Sequence, residues 1–89
     1  MEIEFDPEKD ARNRAERGLP FLLIVHVLAG MVGEYEDTRR DYGEARTTVF
    51  GLVNGRLLTA TYTRRGDVIR VISLRKANER ERRKWLRRE

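Results

Sequence analysis

The chain has no cysteine, a single histidine and two prolines in 89 residues. Without thiols there is no disulfide scaffold, no thiolate nucleophile and no Cys-bearing zinc site, and one imidazole, His26, cannot build a His-rich metal site. The fold must therefore rest on packing alone. Long apolar runs are also missing: the longest, Phe21 to Ala29, falls far below the roughly 20 residues of a membrane-spanning helix and lacks the basic flank of a signal peptide. The expected compartment is the cytoplasm. Walker, dinucleotide-binding, HExxH and Gly-x-Ser-x-Gly motifs are all absent. A chain of this length buries only about 60–65% of its unfolded surface, which predicts one domain, residues 1–89, with any site on an open face or shallow cleft.

Charge, by contrast, is abundant. Charged residues make up 38% of the chain, against 39% apolar, and the net charge is +4. The excess is local: eight bases and three acids between Arg75 and Glu89 give +5, leaving the first 74 residues, with 11 bases and 12 acids, at −1. Such a concentration attracts polyanions, with RNA and DNA first and acidic proteins or anionic lipid as competitors.

Local patterns predict an α+β domain. Ile3 to Phe5 reads as a brief edge strand. Asp6 and Pro7 suit the cap and first position of a helix running to Arg17, stopped by Gly18. Phe21 to Ala29 reads as a short, largely buried helix ended by Gly30, and residues 31–44 as a loop with at most a strand turn. From Ala45 to Leu74 the β-rich composition, cut by Asn54-Gly55 and Arg65-Gly66, predicts a three-stranded antiparallel meander packed on the two N-terminal helices. Asn78 and Glu81 form a capping box opening a last helix over about 79–88, anchored only by Trp85 and Leu86.

The expected turns set the register. Val53 pairs with Arg56 and Thr48 with Thr61, placing Arg46 opposite Thr63; Arg64 pairs with Asp67, so that Thr61 faces Arg70. One face then carries Val49, Val53, Leu58, Ala60, Tyr62, Ile69 and Val71, the core side. The other carries Arg46, Thr48, Thr61, Thr63 and Arg70 at one end, and Phe50, Leu52, Leu57, Ile72 and Leu74 at the other. Two guanidinium groups beside three threonines can clamp a phosphate, or can be solvated arginines of an open sheet face; both readings stay open. Glu44 is a candidate proton acceptor for a ribose 2′-OH, and Tyr35 and Tyr42 are candidate base-stacking groups or covers of the core. His26 reads as a core or rim residue, and Trp85 as packing for the last helix.

Several segments together resemble a known family. Glu4-Phe5-Asp6-Pro7-x-Lys9 with Asn13 and Gly18-x-x-Phe21, then Gly43-Glu44-x-Arg46, Gly51 to Leu58, Tyr62-Thr63-x-Arg65-Gly66-Asp67 and Arg70 to Ala77, ending in Glu81-Arg82-Arg83, resemble the BrnT toxins of type II toxin–antitoxin systems. Residues 22–42 match poorly, and Glu16-Arg17 stands where a Lys-His pair commonly precedes the glycine. The resemblance implies a RelE-like fold, a ribonuclease that inhibits translation without metal or other cofactor, and a cognate BrnA-like antitoxin that forms a hetero-oligomer with it. RNA, with the ribosome as a further candidate, is the implied substrate partner. The matching polar positions are Glu44, Arg46, Arg65, Asp67, Arg70, Ser73, Arg75, Lys76 and Arg83.

These expectations combine into a site. Arg46 and Arg70 would bind the scissile phosphate and Glu44 would accept the 2′-OH proton, with Arg64, Arg75, Lys76 and Arg80 holding flanking RNA. The alternative is a catalytically inactive homologue that serves as an antitoxin-binding module in operon autoregulation. Direct DNA recognition is weaker, because no helix-turn-helix spacing is present and the basic helix is short.

Overall fold

Asp6 begins the helix as its chemistry predicts. In the computed structural model, which describes residues 1–38 and 41–86, its carboxylate accepts the Glu8 N–H at 2.9 Å and opens α1, Pro7–Arg17. Gly18 ends α1 in the left-handed conformation at φ 69°, donating to the Arg14 carbonyl. The preceding strand β1, Glu2–Glu4, lies at one edge of a five-stranded sheet and runs parallel to β5, Val68–Lys76. From that edge the order is β1-β5-β4-β3-β2, so the sheet is mixed rather than a purely antiparallel meander.

The expected loop over 31–44 contains a further strand, β2, Met31–Glu36, paired antiparallel with β3, Thr47–Val53. As an outer strand with most of its side chains exposed, β2 has no buried face to impose apolar alternation, which is why its sequence reads as a loop. The segment Phe21 to Ala29 is one 3₁₀ turn, Phe21–Leu23, followed by α2, Ile24–Ala29. Only Phe21, Ile24 and Val27 are buried there, while Leu22, Val25 and His26 are exposed, so this segment is amphipathic rather than largely buried. A Cβ on Gly51 would run into the Val27 carbonyl, so glycine is what lets α2 lie flat on β3.

The first hairpin joins β3 to β4, Arg56–Arg65, with Asn54 and Gly55 both at positive φ (51° and 79°) and Val53 opposite Arg56 as expected. The second differs. Its loop is Gly66-Asp67, pairing Arg65 with Val68 and Thr63, not Thr61, with Arg70. Gly66 occupies the first of the two loop positions, where a hairpin of type II′ needs its glycine. A bulge then skips Ile72: Tyr62 pairs with Val71 but Thr61 with Ser73. The extra residue reverses the facing of everything after it, so Leu74 joins Ala60 in the core instead of the opposite face.

The main core lies between the sheet and the N-terminal helices, centred on Phe21, Ile24, Val27, Val49, Leu58 and Ile69. Burying each such side chain contributes about 1.5–3 kcal/mol. Asn13 stitches α1 to β5, its Nδ2 donating to the Leu19 carbonyl at 2.8 Å and the Leu74 carbonyl at 3.0 Å. On the opposite face sits α3, Glu79–Trp85, over a second cluster of Phe50, Leu57 and Ala77 packed by Trp85 and Leu86. Both halves of the Asn78–Glu81 capping box form. The expected helix stops at Trp85; its continuation from 87 to 88 lies outside the described residues. No helix among the described residues is long and apolar enough to cross a membrane.

Candidate functional site

Strand pairing lays polar residues in rows across the face opposite the main core. One row runs Glu4 in β1, Arg70 in β5 and Thr63 in β4. Arg46 continues it: it precedes Thr47, which pairs with Tyr62, and the Thr63 hydroxyl donates to the neighbouring Ala45 carbonyl at 2.9 Å. Arg46 and Arg70 thus flank Thr63 at two strand spacings, roughly 10 Å between backbones, within the reach of two guanidinium groups converging on one anion. The next row is Tyr35, Thr48, Thr61 and Ser73, with the Thr48 and Thr61 hydroxyls 3.0 Å apart.

The arginines are held differently. Arg46 lies over the Tyr42 ring, 3.9 Å from its centroid, and the Tyr42 hydroxyl donates to Asp37 at 3.2 Å. The Arg46 Nε is buried without a hydrogen-bond partner; Glu44 Oε2 stands 3.6 Å from it, an ion pair too long for a hydrogen bond. Arg65 reaches the other Glu44 oxygen at 3.5 Å, so this carboxylate sits between two guanidinium groups at the edge of the row. Arg70 pairs with Glu4 at 3.2 Å, the two side chains 39% and 41% exposed.

The expected flanking residues scatter. Arg64 pairs across with the core residue Ile69, so it points to the other side of the sheet from Arg46 and Arg70; Arg65, one residue on, has the facing that the site needs. Arg75 is on the site's face, opposite Thr59, and makes a bidentate pair with Glu81 at 2.9 and 3.0 Å. Those hydrogen bonds hold the Glu81 carboxyl below its ordinary value, with burial opposing and the Asn78 N–H assisting. Lys76, opposite Leu58, faces the α1 side. Arg80 stands apart on α3, lining a groove of about 290 Å³ with Tyr35, Phe50 and Trp85. Of the two candidate stacking tyrosines, Tyr35 stacks on Phe50, which stacks on Trp85, and Tyr42 supports Arg46. Reading the sequence missed the pairing of Glu44 with Arg65, which no spacing announces because it joins the loop before β3 to the end of β4.

Among the described residues, no three His, Cys, Asp or Glu side chains gather as a metal site. What the face offers is guanidinium, hydroxyl and carboxylate groups on a shallow surface of a small α+β domain. The family model described as "Ribonuclease toxin, BrnT, of type II toxin-antitoxin system" matches residues 5–81, and the chain belongs to that family. Comparison with curated proteins finds no match. A toxin of a type II system has an antitoxin as its partner, which agrees with the expected one in kind.

Proposed function

We propose that this chain is a metal-independent endoribonuclease acting on the Arg46–Thr63–Arg70 row, and that it inhibits translation by destroying RNA. The observation that carries the reading is the row itself: two arginines on the strands either side of a threonine, on one face, with the Glu44 carboxylate beside Arg46. In the step envisaged, the ribose 2′-oxygen bonds to phosphorus while its proton passes to Glu44. The bond from phosphorus to the 5′-oxygen breaks, and that oxygen takes a proton from water at the open face. Arg46 and Arg70 stabilise the added charge on the phosphoryl oxygens. We read the arrangement of helices and sheet as RelE-like, and the toxin as held in a hetero-oligomer with a BrnA-like antitoxin in the cytoplasm.

Glu4 competes with RNA for Arg70, but an exposed pair contributes only about 0.2–1 kcal/mol, so a phosphodiester can displace it. The test is cleavage of RNA by the purified protein in chelator, with analysis of the ends and with Arg70→Ala run at matched thermal stability. Cyclic 2′,3′-phosphate ends and a loss of about 10²–10³ in rate for the variant are expected. An undiminished rate in Arg70→Ala sinks the assignment of the face, and dependence on added metal sinks the mechanism. The alternative of an inactive antitoxin-binding module is favoured by Arg17, whose Nη1 is tied to Asn13 at 3.1 Å and to the Leu74 carbonyl at 3.2 Å and so acts in packing. A folded parent without nuclease activity or growth arrest would establish that alternative.

A further inference from the structure

Strand β1 ends at Glu4, opposite Arg70, so β5 has no strand neighbour on that side from Val71 onward. Helix α1 runs past the vacated edge and leaves a groove. Its first part, about 310 Å³, is lined by Lys9, Arg12 and Arg17 from the helix and by Ile72 and Ser73 from the strand. A second part, about 400 Å³, is lined by Arg75 and Lys76 and shares Glu16 and Arg17 with the first. Cations therefore stand on both banks, Lys9, Arg12 and Arg17 on the helix and Lys76 on the strand, beside the acid Glu16, while Arg75 is committed to Glu81. Lys9 and Arg12 fall three residues apart on one helical stripe, and neither makes an ion pair among the described residues.

We infer that this edge groove is a binding site for the phosphodiester backbone of single-stranded RNA, with Lys9 and Arg12 as its phosphate contacts. A narrow channel with cations on both sides fits a thin linear polyanion, the arrangement by which single strands are tracked without regard to sequence. Ser73 connects the groove to the candidate site. It lines the channel and also ends the Thr48–Thr61 row, next to the row of Arg70. A strand lying on Arg70 thus leaves the sheet over the β5 edge and enters between β5 and α1. The inference rests on the ribonuclease reading for the identity of the polyanion.

The experiment measures anisotropy of a fluorescent 2′-O-methyl oligoribonucleotide, which binds but has no 2′-OH to attack, with the full chain and Lys9→Ala/Arg12→Ala. Both positions are exposed on α1, and circular dichroism checks the fold. Arg56→Ala, an exposed arginine at the β3–β4 hairpin, controls for simple loss of charge. The double variant is expected to bind about tenfold more weakly, as two exposed charge contacts would give, and Arg56→Ala to bind like the parent. Equal affinity of the double variant and the parent, or no binding by the parent, overturns the groove. So does polyglutamate that binds as tightly as the oligonucleotide and is weakened equally, because the groove would then select an acidic polypeptide. Cleavage of unmodified RNA is scored in parallel. A parent that cleaves while the double variant binds and cleaves normally removes the groove alone, whereas a parent that binds but never cleaves removes the ribonuclease reading and leaves the groove.

Discussion

Asn13 shows how much one polar side chain can hold. It is buried, and its amide satisfies the carbonyls of Leu19 and Leu74, which closes the turn after α1 and seals part of the open β5 edge at once. Asn13→Ala removes the amide from both carbonyls and its oxygen from Arg17, leaving the Leu74 carbonyl only its Arg17 contact, so a loss of about 1–3 kcal/mol in unfolding free energy is expected by denaturant titration. Loss of less than about 0.5 kcal/mol would mean that water replaces the amide there. Glu4 presents the opposite case, a residue whose removal should help. Glu4→Gln leaves β1 in place but relieves Arg70 of its carboxylate, and RNA affinity should rise about two- to fivefold with little change in stability. Unchanged affinity in Glu4→Gln would show that Arg70 does not meet the RNA.

At the scale of elements, α3 is the piece most loosely held and so the most responsive. None of its residues is fully buried; it is fixed by its capping box, by the Arg75–Glu81 pair, and by Trp85 stacked 5.0 Å from Phe50. A Cβ on Gly33 would overlap the Trp85 ring, so Gly33→Ala should push the indole out, seen as a red shift of the only tryptophan's emission and a loss of about 1–3 kcal/mol. Acid should act on the same contact. Because the docked Glu81 carboxyl lies below its ordinary value, its contribution is complete above the ordinary Glu range and disappears as pH falls through the lower docked value. Trp85 fluorescence should therefore report undocking at acid pH, and Glu81→Gln should remove that transition; a transition unchanged in Glu81→Gln would assign it to another carboxylate. The contrast between elements also explains what could be read in advance. Asn54-Gly55 fixes the first hairpin because both residues must take positive φ, and the Asn78–Glu81 box is a local device complete within four residues. The Ile72 bulge is signalled only by a change in apolar spacing, from two between Ile69 and Val71 to three between Val71 and Leu74. Missing it put Leu74 on the wrong face; misplacing the second turn by one residue put Arg70 opposite Thr61. Arg46 and Arg70 were legible as partners because that two-residue shift in pairing preserves the face. The Arg65–Glu44 pair and the approach of α1 to the β5 edge were not, since both are tertiary contacts that no sequence period carries.

For the whole molecule, the arrangement of charge matters more than the total of +4. Within the C-terminal excess, Arg75 of β5 and Arg83 of α3 are already engaged with Glu81 and Glu79 of α3. The edge groove instead draws Lys9, Arg12 and Arg17 from the first 74 residues, which are nearly neutral in sum. An RNA strand crossing from the Arg46–Arg70 row into the groove would therefore meet about four to six cations contributed by both halves of the chain. Each phosphate neutralised releases counterions, so log affinity should fall linearly with log salt at a slope of about −0.7 per contact, roughly −3 to −4 overall. Arg70→Ala and Arg12→Ala should each reduce that slope by about 0.7, and Arg56→Ala should leave it unchanged. Titration of the 2′-O-methyl oligoribonucleotide across salt concentrations distinguishes the two arrangements. If binding depends on the bulk C-terminal charge, Arg82→Ala and Arg83→Ala will flatten the salt dependence while Arg12→Ala does not, and the path across β5 would then be wrong.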